Sequence, residues 1–269
     1  MTLLALLAFA AVGALAGVLA GLLGIGGGAV IVPALIWLFG HGDLSGWNGE
    51  AAVIPHQAVA TSLATVVATG LASTWAHQRR GAVDWRLFRD LAIGLLLGAW
   101  AGAFAAAWLP ALWLKRLFAL FLLYNGLRML ARPSARPQQA MPGRGGLTGA
   151  ATGFGALSAM LGIGGGLLVV PFLARRGLVM RRAVATASAC GVPLALAGSV
   201  GFVIAGWGEP GLPAQSLGFI YWPAALAIMA TSVPLAPLGA WLAHRLPTAW
   251  VKRVFGILLL VVSAELALA

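Results

Sequence analysis

Long apolar runs alternate with short polar stretches along the whole chain, and eight hydrophobic segments can be read from them. The first spans 2–39. The next three are centred on 56–76, 91–109 and 117–130, and the last four on 147–174, 183–205, 219–243 and 254–268. Those at 56–76, 91–109, 183–205 and 219–243 are close to the roughly 20 residues a helix needs to cross a hydrocarbon core. Two segments are longer and interrupted. Leu23 to Gly28 reads Leu-Gly-Ile-Gly-Gly-Gly, and Leu161 to Gly166 repeats it residue for residue, 138 positions later. Each copy runs into an apolar stretch closed by proline, at Pro33 and Pro171. Glycine clusters are poor helix, at about 1 kcal/mol per residue relative to alanine. In a membrane such a break survives only where protein or a polar cavity satisfies the freed backbone groups.

The repeat extends beyond the glycines. Trp85 matches Trp222, Leu109-Pro110 matches Leu246-Pro247, and Lys115-Arg116 matches Lys252-Arg253, all at an offset of 137. Val59-Ala60-Thr61 matches Val184-Ala185-Thr186 at an offset of 125. The chain is therefore read as two repeats, 1–131 and 147–269. A linker rich in Arg, Pro, Gln and Gly joins them at 132–146.

Composition sharpens the class. Of 269 residues, 61% are hydrophobic and only 9% charged, which fits a polytopic helical membrane protein and no soluble domain of this size. The net charge of +11 does not indicate nucleic acid, because the arginines cluster between apolar runs, as cytoplasmic loops do. One cysteine, Cys190, excludes an internal disulfide and a cysteine metal cluster. The N-terminal run lacks a basic leader and enters the repeated motif directly, so no cleaved signal peptide is expected.

The charges also choose between parallel and inverted halves. If each broken segment enters and leaves on one side, each half makes three net crossings and the halves are inverted. Loops 77–90, 128–146, 175–182 and 244–253 then share one side and hold 4, 4, 4 and 3 of the Lys/Arg residues, 15 of 17; only Lys115 and Arg116 fall outside. The positive-inside rule makes that side cytoplasmic and puts both chain ends outside. Length agrees, since the 28 residues 147–174 suffice only for two short helices meeting at the glycine turn. The competing reading is a single kinked helix with glycine used for packing. The expected fold is all-α and polytopic, with two inverted repeats, each a re-entrant segment plus three transmembrane helices.

These residues resemble the TauE/SafE family of sulfite and sulfonate transporters. The resemblance rests on the paired G-x-G-G-G-x-x-x-x-P motif, Gly24, Gly26, Gly27, Gly28 and Pro33 with Gly162, Gly164, Gly165, Gly166 and Pro171. It is extended by Ala60-Thr61-Ser62. The second half departs from the pattern, reading Ala185-Thr186-Ala187-Ser188. The resemblance implies a secondary transporter in the inner membrane of a bacterium. It would export sulfite or a related sulfur oxyanion without a cofactor or metal.

Candidate chemistry follows from what an anion needs in a membrane. Helix N-termini supply unpaired N–H groups and the positive end of a dipole. Gly26 to Gly28 and Gly164 to Gly166, with Gly24 and Gly162, could cradle an oxyanion against bare backbone, or could serve only close helix packing. Thr61, Ser62, Thr186 and Ser188 could donate hydroxyls to it, or could bond back to their own helices. Thr65 and Thr69 share the Thr61 face and read as structural. Asn125 could touch substrate or bond between helices. No acidic residue lies mid-span, which leaves proton coupling unmarked. An anion channel with the glycines as filter is the alternative. Walker, H-E-x-x-H and nucleophile–base patterns are missing from the sequence, and the glycine cluster lacks the βαβ context of a dinucleotide site, so no enzyme is expected. The expected partners are the anion and the lipid bilayer, with a homo-oligomer left open.

Overall fold

The computed structural model describes residues 3–24, 26–131, 140–243, 245–246 and 248–268. Most of the 132–146 linker therefore lies outside the described residues. The helices are α1 (Leu3–Leu23), α2 (Gly28–Gly40), the single turn α3 (Gly42–Ser45), α4 (Ile54–Gln78), α5 (Trp85–Trp108) and α6 (Ala111–Leu130). After the linker come α7 (Arg144–Met160), α8 (Gly166–Arg175), α9 (Met180–Ala205), α10 (Trp222–Ala243) and α11 (Thr248–Leu268). A ribbon of two short antiparallel strands, β1 (Ser216–Leu217) and β2 (Ile220–Tyr221), precedes α10. The protein is an all-α polytopic membrane fold apart from that ribbon.

Among the described residues five helices, α1, α4 with its preceding turn, α5, α9 and α10, are long and apolar enough to span a membrane. Helices α6 and α11 are as long, but each carries three charged residues: Lys115, Arg116 and Arg128, and Lys252, Arg253 and Glu265. Several helices begin earlier than their apolar runs. α5 starts at Trp85 because the Asp84 carboxylate accepts from the N–H groups of Arg86 and Leu87, so charged residues fill its first turns. α6 starts directly after Pro110.

Each broken segment reverses rather than kinks. Phe39, near the end of α2, lies edge-on to Phe9 in the first half of α1, with ring centroids 6.4 Å apart. Phe172 on α8 likewise meets Phe154 on α7 at 5.0 Å. Both pairs are helical hairpins closed by glycine turns in which Gly24, Gly26, Gly27, Gly162 and Gly165 have positive φ, a region glycine enters at no steric cost. The expectation of two short helices needs one adjustment. At 21 residues α1 is as long as a spanning helix, whereas α2, α7 and α8 have 13, 17 and 10.

The largest contacts run between the halves and come in matching pairs. On α1, Gly13, Gly17 and Gly21 face Ile228, Ser232 and Ala236 of α10, in parallel. On α5, Gly94, Gly98 and Gly102 face Thr148, Thr152 and Ala156 of α7, also in parallel. A Cβ at Gly17 would stand 2.7 Å from the Ser232 Cα, and one at Gly102 would stand 2.7 Å from the Ala156 Cα. Backbone thus lies against backbone, the small-residue packing used where lipid gives no hydrophobic drive between helices. Two further contacts pair repeat-equivalent helices, and these run antiparallel. Leu63 of α4 meets Gly198 of α9 while Ser73 meets Ser188. Asn125's neighbour Gly126 on α6 meets Leu260 of α11, while Ser263 donates to the Ala119 carbonyl at 2.8 Å.

Gly98→Val should prevent assembly of folded protein, since overpacking a backbone contact costs about 1–3 kcal/mol or more. Gly153→Val, on α7 with open space around it, should fold normally. Monodispersity in detergent separates the two, and equal behaviour would refute this packing.

Candidate anion site

The two glycine turns meet. A Cβ at Gly26 would lie 3.2 Å from the Gly164 Cα, and one at Gly28 would lie 2.9 Å from the Ile163 Cα. No side chain could stand between them at Gly26 or Gly28. Ser62 ties the crossing together: its Oγ donates to the Gly162 carbonyl at 2.8 Å, one of the groups the helix break leaves exposed.

Beside this crossing lies a narrow slot, too tight for a water molecule. Gly24, Gly26 and Gly164 line one wall. Val66, Gly70 and Ser73 enter from α4, Ser188 and Gly191 from α9, and Ala20 from α1. Helices α2 and α8 begin two residues beyond Gly26 and Gly164, and the first N–H groups of a helix have no intrahelical acceptor. No charged side chain is among the described lining residues.

Of the residues expected from sequence, Gly24, Gly26, Gly164 and Ser188 line this slot. Gly27, Gly28, Gly162, Gly165 and Gly166 are buried in the turns behind it. Thr61 and Thr186 sit elsewhere and perform matching tasks. The Thr61 Oγ1 accepts from the Tyr221 N–H, one residue before α10, and the Thr186 Oγ1 from the Asp84 N–H, one residue before α5; both distances are 3.0 Å. Asn125 is buried on α6 and donates to the Phe121 carbonyl at 2.9 Å, away from the slot. Thr65 and Thr69 bond back to the Ser62 and Thr65 carbonyls, and Thr69 also meets Ser232.

Ser73 was not among the expected residues. Its Oγ donates to the Ser188 Oγ at 3.2 Å. The signal was present, because Ser73 continues the four-residue stripe of Thr61, Thr65 and Thr69. The slot is one-sided. The 125-residue offset sets Leu63 opposite Ser188 and Gly198 opposite Ser73. There the Leu63 side chain fills the space, reaching within 2.9 Å of a Cβ built on Gly198. Ser73 and Ser188 belong to the ends of α4 and α9 that adjoin Arg79, Arg80, Arg181 and Arg182.

The model of the family described as sulfite exporter TauE/SafE matches residues 9–266. The chain belongs to the TauE/SafE family. A probable membrane transporter protein of Haemophilus influenzae is 36% identical over 260 residues, covering 96% of both chains. One from Methanocaldococcus jannaschii is 31% identical over 216 residues, 78% of this chain and 73% of the relative. Bacillus subtilis YunE, also a probable membrane transporter protein, is 28% identical over 274 residues, 94% of each. No solved structure matches the chain. This TauE/SafE protein is a multi-pass membrane transporter.

Ser62→Ala should destabilise the transporter by about 1–3 kcal/mol, the cost of leaving a buried carbonyl unpaired. The check is its thermal unfolding in detergent, and an unchanged midpoint would mean the bond to Gly162 holds nothing.

Proposed function

We propose that this protein is a secondary transporter exporting a small sulfur-containing anion, such as sulfite or an organosulfonate. Transport proceeds by alternating access between two inverted halves, 1–131 and 147–269. The observation that carries the reading is the convergence of both glycine turns, with two helix N-termini, on one neutral slot. Inversion is supported by the antiparallel run of α4 against α9 and of α6 against α11, because each pair joins equivalent elements of the two repeats. The basic loops then face the cytoplasm of a bacterium across its inner membrane, the linker 132–146 lies on that side, and both chain ends lie outside. The hairpin reversals support re-entrant segments.

Gly24, Gly26 to Gly28 and Gly162, Gly164 to Gly166 form the cradle, and Ser62 and Ser188 act at its edge. In this state Thr61, Thr186 and Asn125 hold backbone groups and join the site only if the helices move. A slot too narrow for water on one face and filled by Leu63 on the other favours a transporter over an open channel. The sulfur anion itself is supported by the family description. The protein works on this anion within lipid, with no cofactor and no nucleic-acid partner, and a homo-oligomer is compatible with it.

Gly70→Ala tests the slot with little risk to the fold. Its new methyl would meet only a Val192 methyl at 3.3 Å and the Ser188 carbonyl oxygen at 3.9 Å. Alanine also favours helix by about 1 kcal/mol. Sulfite or sulfoacetate flux into proteoliposomes should fall at least tenfold while thermal stability holds or rises. Undiminished flux would remove the slot from the transport path.

A further inference from the structure

One end of the molecule gathers the arginines. Helices α4 and α10 run side by side in the same direction, since Thr61 accepts from the Tyr221 N–H near their starts and Thr69 meets Ser232 further along. Both finish beside the end of α1, where His77 lies 3.0 Å from the Gly21 carbonyl oxygen and Gly21 packs against Ala236 and Ala240. Helices α5, α7 and α9 start at this same end. Of the six acidic residues in the chain, only Asp84 and Asp90 lie here. Each already faces an arginine, Arg182 at 3.3 Å and Arg144 at 3.5 Å.

A second pattern marks the helices that finish here. An aromatic ring precedes an arginine by four residues at the ends of α4, α8 and α10, in Trp75–Arg79, Phe172–Arg176 and Trp241–Arg245. Side chains so spaced share a helix face. In all three pairs the guanidinium lies over the ring, 4.1, 3.6 and 4.1 Å from its centroid. Trp75 and Trp241 are 54% and 39% exposed. Both sit on helices long and apolar enough to span the membrane, so their open faces meet lipid. At the opposite end the described residues show one such contact, Arg116 with Trp113, looser at 5.7 Å.

Tryptophan at the end of a spanning helix sits at the depth of the lipid headgroups. An arginine stacked on it is held at that depth. Stacking occupies the guanidinium face and leaves its edge, whose N–H groups match a phosphate in pairs. Neither Arg79 nor Arg245 faces a carboxylate among the described residues.

We infer that this end of the protein binds anionic phospholipid headgroups, with the Trp75–Arg79 and Trp241–Arg245 pairs seating the phosphate. The partner is a lipid and not an acidic protein, because the rings lie on the flanks of spanning helices, where lipid reaches them. The inference needs only that the chain is a membrane protein and stands apart from the transport site. On the orientation proposed above, the lipid belongs to the cytoplasmic leaflet.

The test counts lipids bound to the purified full chain by native mass spectrometry. Phosphatidylglycerol and phosphatidylcholine are the probes. The anionic lipid should bind about tenfold more tightly than the zwitterionic one. Each arginine near the surface contributes roughly fivefold, so the double variant Arg79→Gln/Arg245→Gln should lose about tenfold or more of that affinity. Arg116→Gln should change it by less than about twofold. Both variants should melt like the parent protein in phosphatidylcholine nanodiscs, since the altered side chains are exposed. Arg79→Lys/Arg245→Lys keeps the charge and loses the planar fork, and should still weaken binding by about threefold. Equal binding of the two lipids, or a glutamine double variant that keeps the preference, would overturn the inference. Full retention in the lysine variant would overturn the stacked pairs as seats. Soluble glycerol phosphate displacing the lipid at equal concentration would replace a lipid surface with a phosphate site and overturn the inference as well.

Discussion

Contact of backbone with backbone at glycine is the constraint on which the structure depends. Inside a bilayer, helices gain little from burying apolar side chains, and every peptide group must find a partner in the protein. Both demands meet at the paired motif. The turns free several N–H and C=O groups, and bringing Gly28 against Ile163 leaves no space for a side chain at the crossing. The same requirement recurs along α1 against α10 and α5 against α7, where a glycine every fourth residue lets two helices pack at their closest. The slot exists because these contacts fix its rim. A molecule assembled by close approach can position bare backbone beside a substrate without a charged residue to hold it.

The two halves share a frame but not a function. Thr61 and Thr186 both accept from the N–H just before a helix of the other half, and they explain why Val-Ala-Thr is repeated: each locks one half onto the other. One residue further the symmetry ends. Ser62 bonds the Gly162 carbonyl, while its counterpart Ala187 has nothing to offer Gly24, and Ser188 stands beside Gly24 instead. Leu63 occupies the place on the opposite face that Ser188 takes on this one. A small shift of one hydroxyl along a helix turns a symmetric crossing into a site with a polar face and an apolar face.

Much of this was legible in the sequence. Two identical six-residue stretches announced the repeat, and the distribution of arginines argued for the direction in which each half runs. The breaks lie where the motif put them, with the following helices beginning at its last glycines, Gly28 and Gly166. Helix starts were less legible. The Asp84 cap and Pro110 begin helices inside charged stretches that a hydropathy reading gives to loops. The site was half legible. The motif glycines and Ser188 could be named because they repeat, or nearly repeat. Gly70 and Gly191 could not, because what brings them together is the antiparallel crossing of α4 and α9, a long-range fact without a local pattern; Ser73 was marked only by its place on the Thr61 stripe. Thr61, Thr186 and Asn125 show the converse. Buried polar residues in a repeat drew attention, and backbone groups needing partners account for all three.

The asymmetry of the slot bears on direction. Alternating access requires the site to face each side in turn, and a perfectly symmetric pair of halves would offer the same groups both ways. Here the hydroxyls belong to the ends of α4 and α9 that carry the arginine loops, and the opposite face presents Leu63. On the proposed orientation, the anion meets hydrogen-bond donors when the site opens to the cytoplasm and an aliphatic wall when it opens outward. Affinity then differs between the two states in the sense that export needs, tighter where the substrate is scarce and looser where it must leave. The membrane potential acts the same way, because an anion moving outward runs down a field that is negative inside, at about 2.3 kcal/mol per charge per 100 mV. A neutral slot that passes a charged substrate would draw on that field without a carboxylate or histidine relay. This accounts for a transporter whose spans hold no acidic residue near their centre.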